Sequence, residues 1–122
     1  LEKHLARHSL GDLALDTFNY NGHTTTSDAL WAGLPLLTKI GESFASRVSA
    51  SILSSIGLPD LITYNEREYE EKAINIAKNP DELIRLKSKL AKLRKTSPLF
   101  NSELFTRDLE NKYIELVNSH NF

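Results

Sequence analysis

The sequence predicts an α/β fold, a short parallel sheet followed by α-helices, and three observations carry the prediction. Over residues 1–64, apolar runs suited to buried strands alternate with amphipathic stretches in units of about 20–25 residues. Charge is uneven: residues 1–60 carry 4 Lys/Arg against 6 Asp/Glu, and residues 61–122 carry 11 against 10. The charge-rich second half reads as helix throughout, and no Pro/Ser/Gly linker divides it from the first.

Residues 2–9, EKHLARHS, read as a short helix stopped at Gly11. DLALD (12–16) is a short apolar run closed by Asp16, the look of a buried parallel strand. HTTTSDALWA (23–32) reads as a helix ended by Gly33, with Pro35 beyond. LPLLTK (34–39) is a second strand. FASRVSASILSSI (44–56) is a helix closed by Gly57, with Phe44, Val48, Ile52 and Ile56 recurring every four residues as the expected sheet-facing stripe. LITY (61–64) is a third strand. Helices follow at 66–78, at 81–95 behind Pro80, and at 102–119. Leu83, Leu86, Leu90 and Leu93 make one inward stripe; Phe105, Leu109, Tyr113, Leu116 and Val117 make another.

Composition narrows the function classes. The 122 residues suit one domain, here taken as a sheet-bearing part (1–64) and a helical part (65–122). With no Cys there is neither a disulfide framework nor thiolate chemistry, and a cytoplasmic setting is expected. The chain starts at Leu1 and has no Met, so a portion of a longer protein is expected. Three strands are few for a doubly wound sheet, which agrees. A net charge of −1 argues against nucleic acid or anionic lipid as the dominant partner, and no run is long and apolar enough to span a membrane.

In open α/β sheets ligands bind at the carboxyl ends of strands, where the following helices begin. Residues 21–28, NGHTTTSD, stand there after the first strand. The first helical amides have no intrahelical acceptor and the helix dipole makes that end partly positive, so an anion, phosphate above all, is the natural ligand. Gly22 permits close approach, Thr24 and Thr25 add hydroxyls, His23 adds a ring donor, and Asp28 can accept from a sugar hydroxyl. On local physics alone, plain helix capping by the Thr and Asn residues is at least as strong a reading. A Ser27–His23–Asp28 relay is disfavoured, because neighbours on one helix do not form one and no nucleophile elbow is present.

The wider pattern adds to this. DLALDTFNYNGHTTTSDALWAGLPLLTKIGESFASRVSASIL, then GLPDLI, EYEEKA and SPLFN, resembles the C-terminal catalytic lobe of the O-linked N-acetylglucosamine transferase family, including its bacterial and plant SPINDLY-like relatives. The resemblance covers nearly the whole chain and keeps the spacing between blocks. It implies the C-terminal portion of a Rossmann-like GT-B lobe, in an inverting glycosyltransferase that moves a sugar, N-acetylglucosamine from UDP-GlcNAc above others, onto protein hydroxyls. It implies no cofactor and no catalytic metal, only the UDP-sugar donor. By position, His23, Thr24 and Thr25 resemble the family's diphosphate-binding segment and Asp28 its ribose-binding acid. His4 resembles the histidine stacked on uracil, and Arg7, one turn later, an arginine near that base. The family's lysine three residues before His4 is replaced here by Leu1, and another donor lysine lies upstream, so only part of the site is expected and the chain alone is expected to be inactive. The protein acceptor, an upstream catalytic lobe and TPR repeats are the implied partners; no catalytic residue is assigned. Relatives using GDP-fucose or UDP-glucose, or a non-catalytic helical adaptor, are the alternatives.

Other features are weighed against simpler readings. His4 and His8 have the i, i+4 spacing of a zinc pair, but no third ligand is evident beyond His23, so a solvated pair is preferred. RLKSKLAKLRK (85–95) has six basic residues with no acid between them; an amphipathic helix packed by its Leu stripe is preferred to a nucleic-acid stripe. Trp31 and Phe44 are expected in the core. Glu42 and Arg47 flank a strand-end turn that can face a donor, with helix capping an equal role for Glu42. The Phe105/Tyr113 stripe of the last helix is expected to be partly exposed.

Overall fold

A computed structural model of the chain describes residues 1–119; the last three positions of the expected 65–122 helical part lie outside the described residues. Helix α1 (Glu2–Arg7) and a 3-10 turn (His8–Leu10) lead to strand β1 (Ala14–Leu15), helix α2 (Thr24–Trp31) and strand β2 (Leu36–Lys39). A 3-10 turn (Phe44–Ser46), helix α3 (Val48–Ile56) and strand β3 (Ile62–Thr63) follow, and α4 (Glu66–Lys78), α5 (Pro80–Thr96) and α6 (Ser102–Ser119) complete the described chain.

The three strands form a parallel sheet in the order β1-β2-β3. Ala14 pairs with Leu36 and Leu15 with Leu37, while Thr38 pairs with Ile62 and Lys39 with Thr63. Central β2 is buried from Leu36 to Thr38, as a strand flanked on both edges and covered on both faces must be. β1 is less enclosed than expected. Regular pairing covers two residues, and Leu15 is 58% exposed because β1 is an edge strand in this chain.

Leu30, Leu37, Leu53, Ile56 and Leu61 form the centre of the core, and Ile76 of α4 with Leu86 and Leu90 of α5 join the same cluster. The Leu stripe of α5 therefore faces inward as expected. Its cations lie outside, with Lys87 on Asp12 at 2.7 Å, Arg85 on Glu82 at 2.6 Å and Arg94 on the Trp31 carbonyl at 2.7 Å. Local signals set the helix ends. Asn65 and Asn79 cap α4 and α5 by accepting from Glu68 N–H and Glu82 N–H. Gly57 closes α3 at φ 90°, a conformation that a side chain would strain.

Two expectations are corrected. The stretch 44–56 is not one helix: the chain turns at Arg47, and α3 buries Ser49, Ala50, Leu53 and Ile56 in place of the Phe44/Val48/Ile52 stripe. The small Ser49 and Ala50 allow α3 to approach closely, so the buried face is rotated from the one the bulky residues mark. Phe44 is 81% exposed and Trp31 49% exposed, so neither is a core residue. Trp31 ends α2 and meets Phe100 edge-on at 5.0 Å. The last helix, α6, has no buried residue, and Phe105 and Tyr113 are exposed as expected.

Candidate functional site

The turn between β1 and α2 is built around Asp16, which closes β1 and is buried. Its Oδ1 accepts from the backbone N–H of Thr17 at 3.0 Å and of Gly22 at 2.8 Å, and its Oδ2 accepts from the Thr38 hydroxyl at 2.6 Å. Its carbonyl accepts from the Tyr69 hydroxyl at 2.9 Å. Burial first, and the Asp16 charge second, raise the Tyr69 pKa above its ordinary value. From the other side, the Ser49 hydroxyl donates to the Gly22 carbonyl at 3.0 Å and pairs with Thr26 Oγ1 at 2.9 Å. Gly22 is thus held by both of its backbone groups. A Cβ there would lie 2.5 Å from Thr26 Oγ1 and 2.7 Å from Thr25 Oγ1, which only glycine avoids.

This clamp leaves the start of α2 open. The helix begins at Thr24 with His23 in the N-cap position and no side-chain cap. The first backbone donor of the helix to find an acceptor is Ser27 N–H, on the His23 carbonyl at 3.2 Å. The Thr and Asn residues around it therefore do not cap it: Asn21 Nδ2 turns back to the Thr17 carbonyl at 3.0 Å, and Thr26 is committed to Ser49. Thr24 and Thr25 are exposed. A cleft of about 250 Å³ lined by Thr25, Gly22, Thr17, Asp16 and His8 lies alongside.

His23 is held between two aromatic rings. Its ring stacks on Tyr20 at 5.0 Å with 13° between planes and meets Phe44 edge-on at 6.1 Å. Its Nε2 is covered and has no hydrogen-bond partner among the described residues. The ring packs between two aromatics, and of the next three residues Thr24 and Thr25 are exposed while Thr26 is buried.

The structure brings His4, Arg7 and Asp28 into one chain of hydrogen bonds. Arg7 Nη2 donates to His4 Nδ1 at 2.9 Å, and His4 Nε2 lies 3.1 Å from Asp28 Oδ2. An arginine only donates, so Nδ1 is the acceptor and the imidazole proton sits on Nε2, where it donates to the carboxylate. Both in-plane nitrogens are used, and the ring keeps 37% of its side-chain surface. His8 is not a solvated partner: its ring packs edge-on against His4 at 5.2 Å and bonds the His4 carbonyl. Among the described residues, no group of three or more His, Cys, Asp or Glu side chains is arranged to hold a metal. All six sequence-derived residues, His4, Arg7, His23, Thr24, Thr25 and Asp28, therefore cluster about one helix start. Asp16, Ser49 and Tyr20 were missed, although an aspartate closing an apolar run was a legible signal for the first.

A parallel sheet whose carboxyl end carries an open helix start has the layout of a Rossmann-like α/β ligand site. The fold matches that of a solved Thermobaculum terrenum O-GlcNAc transferase mutant, K341M, with a TM-score of 0.85 and 33% identity over 93% of this chain and 22% of that one. Residues 1–109 match the family model of glycosyl transferase family 41, and the chain belongs to that family. It is 40% identical over 97% of its length to an Arabidopsis thaliana protein named probable UDP-N-acetylglucosamine–peptide N-acetylglucosaminyltransferase SEC, of which it covers 12%. It is 41% identical over 90% of its length to the tomato (Solanum lycopersicum) SPINDLY protein, again covering 12%, and 38% identical over 89% to a Caenorhabditis elegans UDP-N-acetylglucosamine–peptide N-acetylglucosaminyltransferase, covering 10%. The chain thus spans about a tenth of the length of these relatives.

Proposed function

We propose that this chain supplies the nucleotide-diphosphate part of the donor site in a glycosyltransferase that moves N-acetylglucosamine from UDP-GlcNAc to protein hydroxyls. The observation that carries the reading is the uncapped start of α2, with Gly22 clamped by Asp16 and Ser49 and the amides of Thr24–Thr26 without an acceptor among the described residues. Diphosphate oxygens would accept from those amides and from the Thr24 and Thr25 hydroxyls, in the favourable field of the helix end. The uracil would stack on the free face of His4, whose plane Arg7 and Asp28 fix, and the ribose hydroxyls would donate to Asp28 Oδ1, the oxygen not shared with His4.

In an inverting transfer the acceptor hydroxyl oxygen bonds to the anomeric carbon as the carbon–oxygen bond to the β-phosphate breaks. The electron pair leaves with UDP, and the hydroxyl proton passes to a base. The work of this chain is to position the donor and to stabilise the charge growing on the leaving diphosphate. The base, the acceptor site and part of the donor site are assigned to other parts of the protein, so the chain alone is inactive in this reading.

His23→Ala tests it. Loss of the Tyr20–His23–Phe44 stack loosens the turn and is expected to weaken UDP binding about tenfold with an unchanged circular dichroism spectrum. Unchanged UDP affinity would favour an adaptor whose Thr-rich turn binds no nucleotide.

A further inference from the structure

The turn that carries the α2 start leaves the sheet at Asp16, just beyond the two regularly paired residues of β1. Its first peptide unit, Asp16–Thr17, is held at both ends. The Thr17 N–H donates to the Asp16 carboxylate at 3.0 Å, and the Asp16 carbonyl accepts from the Tyr69 hydroxyl at 2.9 Å. Tyr69 lies 53 positions further on, in α4, a helix anchored in the core by the buried Ile76. It grips the turn a second time, because its ring meets Phe18 edge-on at 4.9 Å with 78° between planes. Lys39 Nζ lies 4.4 Å from the centre of the same Phe18 ring and 3.5 Å from Glu66 Oε1, in the first turn of α4. One helix therefore reaches the turn by a hydroxyl, by an aromatic edge and by way of a lysine.

The carbonyl that Tyr69 holds belongs to the residue that holds Gly22. Asp16 Oδ1 accepts from the Gly22 N–H at 2.8 Å, and a carboxylate is aimed by the backbone on which it stands. Its Oδ2 accepts from the Thr38 hydroxyl of β2 at 2.6 Å, so the central strand fixes the side chain while α4 fixes the main chain. Packing alone does not call for a tyrosine at position 69, since a phenylalanine would make the same ring contact with Phe18. The half-buried hydroxyl is committed instead to the one carbonyl from which the turn departs. Losing that bond leaves the Asp16–Thr17 peptide free to rotate, and Gly22 and the first amides of α2 turn with it.

We propose that Tyr69 is a positioning residue of the donor site, an α4 side chain that sets the aim of the Thr24–Thr26 amides through Asp16 and Phe18 without itself touching the nucleotide; the inference rests on the donor-site reading above. Its hydroxyl then contributes to ligand affinity as well as to the stability of the fold.

The test is calorimetric titration of the intact protein with UDP, for the wild type and for Tyr69→Phe, Ile76→Val, Thr25→Val and His4→Ala, each with its urea midpoint. Tyr69→Phe keeps the ring and deletes the hydroxyl. Ile76→Val trims a core side chain of the same helix, away from the turn, and is the control for stability. A purely structural loss lowers the urea midpoint and leaves the Kd of the folded protein unchanged. Tyr69→Phe is expected to weaken UDP about fivefold, the scale of one neutral hydrogen bond, while Ile76→Val lowers the midpoint and keeps UDP affinity within about twofold. If Tyr69→Phe also stays within about twofold, or Ile76→Val weakens UDP as much as Tyr69→Phe does, while Thr25→Val and His4→Ala weaken UDP, the positioning role is overturned and the donor site stands. If UDP affinity is indifferent to Thr25→Val and His4→Ala, the donor-site reading fails and the positioning role falls with it.

Discussion

His4 and Asp28, 24 positions apart, are joined by a 3.1 Å hydrogen bond from the imidazole N–H to the carboxylate, and that bond fixes α1 against the first turns of α2. Arg7 secures the far side of the same ring. The consequence is a flat aromatic plane held beside a helix start.

Because the pair acts as a unit, His4→Ala and Asp28→Ala should not add. Each is expected to weaken UDP binding about tenfold, and the double variant by little more than either one, in a double-mutant cycle read by calorimetry. Additive losses would mean that the two side chains act independently.

Gly22→Ala places a methyl group against Thr25 and Thr26, inside a turn clamped from both sides. The expected loss is about 1–3 kcal/mol in urea unfolding, with UDP binding abolished, because the turn must shift and carry the helix amides with it.

Tyr69 links the turn to pH. Burial and then the Asp16 charge raise its pKa above the ordinary 10.0, so the folded state holds the phenol proton more tightly than the unfolded chain does. The stability this contributes is complete below pH 10.0 and is lost as pH rises through the raised folded value. Denaturation midpoints are expected to fall on the alkaline side of that point. Tyr69→Phe, which deletes the bond to the Asp16 carbonyl, should cost about 1 kcal/mol near neutrality and flatten the alkaline limb.

The helical part divides sharply between core and surface. Leu90, fully enclosed in α5, should cost about 2–5 kcal/mol when changed to alanine. In α6 only Leu104 is even partly buried, so Phe105→Ala with Tyr113→Ala should change unfolding stability by less than about 0.5 kcal/mol. Chemical denaturation of both variants measures the contrast.

Legibility in the sequence follows the range of the interactions involved. The bounds of α4 and α6 agree with those read from the sequence because caps and periodicity are local signals. His23, Thr24, Thr25 and Asp28 were legible as candidates because the phosphate argument needs only a strand end, a glycine and a helix start. His4 and Arg7 were named by the family resemblance alone, and the structure brings all six to one helix start. The phase of α3 was misread because its buried face uses Ser49 and Ala50, which carry little hydrophobic signal, and because Phe44 belongs to a separate turn. The clamp on Gly22 was invisible for another reason. Ser49 reaches it across 27 positions and Thr38 reaches Asp16 across 22, and no periodicity reports a hydroxyl pairing at that range.

The most direct test of the account is a ¹H–¹⁵N NMR titration of this chain with UDP, repeated with GDP. The account predicts saturable shifts concentrated at the amides of Gly22–Asp28 and at His4–Arg7, larger for UDP. Shifts centred elsewhere, or no response at Thr24 and Thr25 up to millimolar UDP, would contradict it.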